Sequence, residues 1–584
     1  MTEAGRAALL PLPVVAPIVG AVLSPLVGRV SRRGPLVLSV LSLCGSLVVL
    51  LLVAPDVYHG RLLTHFLGHV GPVDGHELGV AFVADPFGLT YALVTAAVGV
   101  LLLVHTLSEL GGLGHRELGG YACLFQLLLA ALIGASLTAD SIDLFVWFEV
   151  AALASYGLTG FFLERPLALE AAFKIMVLTN VASFAVFVAA AALYSATGAL
   201  NFGQLHNALA GGSHPVDLVA MGLLVGGFAT KAGIMPFHGW LADAHTAAPG
   251  PVSALFSGLM VNLGVFAIAR LSLDVYAAEG RPVLGLLTVL GAITAIAGAV
   301  MALAQEDLKR LLAYDTVSQM GVLLVGAGTA TSSGLAGMVY HLLAHALFKS
   351  LLFLAAGAIV HATGMTKISQ MGGLARHRPI TTIAFVVGAA TIAGVPPFAG
   401  YVSLGLIHDA LRDNDPAAFA AMLVAQVVTV AALGRATYLA FFRRRDDDYD
   451  SLERSSPGML ASFGGLAAGC VAFGVLPTLV LDHVVAPAAA ILRQPATYAH
   501  AALAPNVSLP VTAISFDYAD PTDLVIAFGT IAAGLLLAWW YVRRDREPTA
   551  VTWLRDLHTG SVNDYALYAA AGFAVVIGVL LIGH

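Results

Sequence analysis

Charge is what this sequence has least of. Only 11% of its 584 residues are Asp, Glu, Lys or Arg, whereas 59% are hydrophobic, and the mean hydropathy is +0.88. A soluble globular domain carries roughly 25% charged residues, so this chain lacks the polar surface to cover itself in water. A soluble enzyme is excluded, and an all-α polytopic membrane protein is expected. The net charge of −7 comes without a basic block, which argues against nucleic acid as a partner. Cysteine is scarce too. Cys44, Cys123 and Cys470 sit in apolar runs at unrelated spacings, offering neither a disulfide framework nor a zinc pattern. There is no phosphate loop, dinucleotide glycine fingerprint, four-cysteine cluster motif or HExxH. No cofactor or metal is expected, and any electron transfer belongs to a partner.

What the chain has is apolar runs. A bilayer-spanning helix needs about 20 mostly apolar residues, and sixteen candidates lie near 8–30, 35–54, 86–110, 117–136, 138–162, 170–196, 216–236, 250–273, 282–303, 308–330, 333–361, 379–410, 416–442, 458–482, 522–541 and 564–582. The first reads as a retained span rather than a cleaved signal peptide. The twelfth is long enough to be broken or tilted. With the first connection (Arg29, Arg32, Arg33) cytoplasmic and sides alternating, cytoplasmic loops hold 18 of the 28 basic residues and the opposite loops, Arg270 among them, hold 6. That bias predicts both termini on the external side.

The chemistry is expected where charge enters the membrane. Of five lysines, Lys174, Lys231 and Lys349 lie within or at the edge of spans. An ionised side chain at mid-bilayer costs about 2.5–3.5 kcal/mol on insertion scales, so such groups face partners or water. Glu149 occupies the middle of the fifth span, and Lys231 precedes Pro236, which is set to break the seventh. The two would lower each other's cost of ionisation, either as a transport site or as a static clasp between helices. The eleventh span places His341, His345 and Lys349 four apart, on one helical face. A proton relay fits that pattern; structural hydrogen bonding and, with no nearby carboxylate, a metal are the alternatives. Asp243 and His245 lie in a proline-rich break, where Asp243 reads as a local cap. Ser257 and Asn262 can hold water. Asp315, Ser318 and Gln319 carry polarity into the tenth span. The breaks at Pro236 and Pro396–Pro397 suggest two repeats, each with a half-channel. Residues 484–521 read as an external loop without obvious chemistry, and 542–563 as a cytoplasmic connection able to lie on a neighbouring subunit.

Phe-Glu149-Val, Lys231 with Pro-Phe-His-Gly-Trp-Leu-Ala-Asp-Ala-His, Ala-Pro-Gly-Pro-Val-Ser253-Ala-Leu, Gln305 to Gln319, His341 to Lys349, Gly372-Gly373-Leu and Gly-Val-Pro-Pro-Phe are together specific. Over about residues 120–405 the chain resembles the antiporter-like subunits shared by Mrp-type sodium/proton antiporters, complex I and membrane-bound hydrogenases. Glu149 and Lys174 in their contexts look most like the D-type subunit of Mrp antiporters. The histidine-rich eleventh span and the segment from His558 resemble larger relatives. The resemblance implies two inverted five-helix repeats, residues 116–273 and 282–442, between N-terminal spans (1–115) and C-terminal spans (443–584). It further implies a hydrated axis in which Glu149 pairs with Lys231 and protons pass through His341, His345 and Lys349. Two positions depart from the pattern: Asn262 stands where many relatives have lysine, and Ser403-Leu404 where they have Ser-Lys. His408, one turn beyond Leu404 on the same face, is the candidate replacement.

The expectation is therefore an ion-translocating subunit of an Mrp-type antiporter, carrying protons or sodium beside other membrane subunits in a bacterial inner membrane, with no cofactor. Its site residues are Glu149, Lys231, His245, His341, His345, Lys349 and His408. A proton-pumping subunit of an NADH dehydrogenase or hydrogenase-like complex is the alternative, and a non-conducting scaffold paralogue the third.

Overall fold

The computed structural model describes residues 3–69, 79–109, 113–211, 214–277, 280–444, 456–505, 507–544 and 560–583. Helix dominates, because a backbone without water must satisfy each N–H and C=O internally. Among the described residues, fifteen helices are long and apolar enough to cross a bilayer. The twelfth crossing is made instead by two half-helices, Pro379–Ile392 and Ala399–Arg412. With it the count reaches the expected sixteen. Polar residues between spans mostly serve as caps: Asp140, Asn201, Asp307, Thr331, Asp415 and Ser456 each accept from a first-turn N–H.

The seventh span is also broken. Pro215–Ala232 ends at Gly233, whose φ of 69° is left-handed, and helix resumes at Gly239–Ala247. In the twelfth, Gly394 takes the same role at φ 72°. Met235–Pro236 and Pro396–Pro397 are both cis. The freed backbone groups find partners within the protein: Trp240 Nε1 donates to the Thr230 carbonyl at 2.7 Å, and the Met235 N–H to Thr294 Oγ1 at 3.3 Å. The two breaks lie five spans apart in the chain. Between them the tenth span, Leu308–Thr329, packs tightly on the ninth. A Cβ at Gly298 would stand 2.5 Å from the Ser318 nitrogen, so only glycine permits the approach. Ser318 Oγ adds a 2.8 Å bond to the Ala295 carbonyl.

Two expectations are corrected. Residues 484–521 are not a bare loop. The chain folds there as Pro477–Ile491 and Pro495–Leu503, followed by a strand at Val507–Ser508. Val485, Ala488, Ile491 and Tyr498 draw this segment into the core. Its strand joins Arg61–Phe66, which also pairs with Ala81–Ala84, in a three-stranded antiparallel cap. Thr64 Oγ1 donates to the Ala501 carbonyl at 2.6 Å and fastens cap to helix. Arg270, counted among loop residues, is buried in the eighth helix. Asp85 at 2.5 Å and Asp274 at 2.6 Å neutralise it, and its guanidinium lies 4.2 Å from the Tyr498 ring centre. The connection 545–559, with His558, lies outside the described residues.

Candidate functional site

The eleventh span, Ser332–Thr363, carries His341, His345 and Lys349 on one face, all fully buried. Lys349 Nζ is 2.5 Å from Asp315 Oδ2 and donates to the Leu312 carbonyl at 3.2 Å. Neither member of this ion pair touches solvent. One turn along, both ring nitrogens of His345 lack a hydrogen-bond partner among the described residues. Its ring centre is 6.4 Å from that of His341. His341 bridges two elements, with Nδ1 2.9 Å from Ser403 Oγ on the second half of the broken twelfth span and Nε2 3.0 Å from Gln319 Oε1 on the tenth.

Lys231 and Glu149 do not form an ion pair. The Lys231 ammonium is fully buried, has no hydrogen-bond acceptor among the described residues, and sits 4.9 Å from the Phe148 ring centre. That aromatic face, rather than a carboxylate, stabilises it at contact range. Glu149, on the fifth span, is half-buried and near enough for its charge to act on Lys231.

Toward the end bearing the basic connections, His245 is buried and stacked on Phe353 at 4.6 Å, with both ring nitrogens unpartnered among the described residues. The charges of both Lys309 and Lys349 act on it. Asp243, expected as a local cap, instead joins Lys174 (2.8 Å) and Arg310 (3.0 Å), Lys174 being held by Glu170 at 2.7 Å as well. Lys309, at the start of the tenth span, is buried and donates to the Ala248 carbonyl at 2.7 Å. In the eighth span Ser257 Oγ lies 2.7 Å from Thr316 Oγ1, and Asn262 Nδ2 donates to the Gly258 carbonyl at 2.9 Å. Ser257 lies in a π-helical turn, Phe256–Met260, and Asn262 in the helix that follows it; such turns are frequent at functional sites.

At the opposite end His408 faces inward, 3% exposed, edge-on to Phe419 and with Nε2 unpartnered among the described residues. It lines two cavities of ≈ 10 Å³ each, one shared with Ser318, Gln319 and Thr429, the other with Tyr401 and Asp523. Each has room for about one water. Leu404 lines both. Beyond lies Arg412, bonded to Asp523 at 2.5 Å and to exposed Asp409 at 3.0 Å.

Sequence reasoning noticed Asp315 but did not place it in the site. A lone carboxylate about two turns inside the tenth helix, which starts at Leu308, was the available signal. It also passed over His105 and Glu109, four apart at the end of the third span, which pair at 3.6 Å.

Two interrupted helices flanking a file of buried lysines and histidines define a membrane protein of the antiporter-like class. The chain belongs to the NADH:quinone oxidoreductase/Mrp antiporter transmembrane family, whose pattern matches residues 138–429. It is 34% identical over 375 residues to the N-type subunit of NADH-quinone oxidoreductase from Desulforudis audaxviator, covering 64% of this chain and 73% of that protein. It is 31% identical over 416 residues to the D-type subunit of the Na(+)/H(+) antiporter from Alkalihalophilus pseudofirmus, covering 70% and 81%. A chain in the structure of the Mrp complex from Dietzia sp. DQ12-45-1b superposes with a TM-score of 0.77 at 26% identity, covering 86% of this chain and 100% of that one.

Proposed function

We propose that this chain is the proton-translocating membrane subunit of an Mrp-type monovalent cation/proton antiporter, assembled with other membrane subunits in a bacterial inner membrane with its basic connections cytoplasmic. Residues 116–273 and 282–442 act as two inverted repeats around one polar axis. The observation that carries the reading is the buried Lys349–Asp315 pair in line with His345 and His341. A proton on this file moves by exchange between neighbours: Lys349 gives its proton when Asp315 swings away or is neutralised, His345 and His341 receive it, and Ser403 and Gln319 orient the last ring. His408 then takes the place of a lysine at Leu404, passing the proton through two single-water cavities toward Asp409. Lys231, with Glu149 at a distance, is the charge whose state biases the file. Sodium is the alternative ion for the chain.

The test is cation-dependent proton flux in everted vesicles containing the complete assembly. Lys349→Met, His341→Ala and Lys231→Ala should each abolish flux while the assembly survives; normal flux in all three would sink the reading. A redox-driven proton pump is the second reading, favoured by the likeness to the N-type quinone oxidoreductase subunit. Copurification separates them. Small membrane subunits support the antiporter, and iron–sulfur subunits the pump.

A further inference from the structure

A cavity of ≈ 480 Å³ opens at the basic-loop end between Glu109, Arg165, Ala248, Asp307, Lys309 and His361. It is large enough for a cluster of waters, and groups from both repeats meet there. The Glu109 side chain is 6% exposed, and its Oε2 has no hydrogen-bond donor among the described residues. Behind it His105 is fully buried, both ring nitrogens unpartnered among the described residues, with Nε2 3.6 Å from that oxygen. The cavity wall runs through Thr246, Ala247 and Ala248, the residues that follow buried His245 in the chain. The charges of Lys309, which lines the cavity, and of Lys349, on the axis, both act on His245. Buried acceptors without donors, beside space for water, are placed to exchange protons rather than to hold helices together.

We propose that Glu109, backed by His105, is the port through which the axis exchanges protons with the basic-loop side, and that His245 is the next station inward. The proposal rests on the proton-translocation reading. Glu109 takes a proton from a hydronium ion in the cavity, becoming the carboxylic acid and releasing water. Its O–H then gives that proton through cavity water to a ring nitrogen of His245, restoring the carboxylate. His105, 3.6 Å behind, accepts the proton when inward transfer is blocked, so the pair retains one proton between turnovers. Sodium does not suit the port. The Lys309 ammonium and the Arg165 guanidinium line the same space, and no cluster of three His, Cys or acidic ligands exists among the described residues.

Groups that face Glu109 and shape its titration are His105 on its own helix, Tyr121 on the fourth span, Arg165, Asp307, Lys309 and His361. Flux should be followed in everted vesicles of the whole assembly at about pH 6 and about pH 8, either side of the reference histidine pKa of about 6.5. Glu109→Gln should slow flux several-fold at the higher pH, where free protons are scarce, and approach wild type at the lower. Glu109→Asp, which keeps the carboxyl group, should keep the wild-type profile; a purely structural role would leave the profile of the glutamine variant unchanged. A wild-type rate and profile in Glu109→Gln, with flux abolished in Lys349→Met, overturns the port and spares the axis. Wild-type flux in Lys349→Met removes the axis, and the port with it. Should the glutamine variant fail to assemble, a water-soluble carbodiimide added to the wild-type assembly from the basic-loop side should modify Glu109. Its failure to do so would overturn the port.

Discussion

Two buried lysines in this protein live in opposite electrostatic company, and their substitution should read differently. Lys349 is matched to Asp315, so Lys349→Met leaves a carboxylate uncompensated in low dielectric and should cost about 3–5 kcal/mol. Adding Asp315→Asn removes the stranded charge and should recover most of that loss, without restoring flux. Thermal unfolding in detergent checks both; equal stability of the single and double variants would show that the pair is not the counter-ion arrangement described. Lys231 has only the Phe148 face and a distant Glu149. Lys231→Met should therefore leave stability unchanged or raise it, while transport is lost. His345 gives the third residue-level outcome. If it relays, His345→Gln should lose flux across about pH 6–8, because glutamine hydrogen-bonds but does not titrate near the histidine pKa of about 6.5. Full activity in that variant would assign the ring a structural role.

At the scale of elements, the broken helices were readable from the chain. Pro236 and Pro396–Pro397 announced interruptions, and the flanking Gly233 and Gly394 supply the left-handed residues at the breaks. Gly233→Ala should cost about 1–2 kcal/mol, since a Cβ is crowded at positive φ, and should slow transport by shifting Lys231, two residues before; a thermal scan and a flux assay together test this. The spacing of His341, His345 and Lys349 was equally legible, because helical periodicity is local information. Partnerships across the bundle were not. Nothing near Arg270 says that Asp85, 185 positions away, will meet it, and the same distance problem hid the Lys349–Asp315 pair. Composition misjudged the 484–521 segment for a related reason. Its alanines and valines are too few in a row to span a membrane, yet enough to bury against neighbouring helices. Arg270→Ala should strand two buried carboxylates and destabilise the assembly by about 3–5 kcal/mol, whereas Asp274→Asn, which leaves Arg270 paired with Asp85, should cost much less. Comparable melting temperatures for the two variants would contradict the cluster as described.

The whole molecule shows an inside and two kinds of outside. The eighth, tenth and eleventh helices are enclosed almost entirely, whereas the fifth and sixth are less than half buried. Glu149 is half-buried on the fifth, and Leu153, one turn on, is 55% exposed. A carboxylate left partly open on a membrane-spanning helix is costly, so this flank should be covered by another subunit. In the intact assembly Leu153→Cys should cross-link to a neighbouring chain and resist a lipid-soluble thiol probe; free reaction with the probe and no cross-link would assign the flank to lipid.

The three-stranded cap sets a schedule for synthesis. Its central strand, Arg61–Phe66, pairs with Val507–Ser508, and Thr64 bonds to a carbonyl 437 residues later in the chain. At a translation rate of about 5–20 residues per second, the first strand waits on the order of 20–90 s for its partner to be made. During that interval the opening spans sit in the membrane with an unfinished edge, and nearly all the transport machinery is inserted before the edge closes. Closure of the cap thus ties the opening spans to the far end of the chain only once residues 116–442 have been made, leaving, among the described residues, just the last two helices, Pro521–Val542 and Val562–Ile582, to follow.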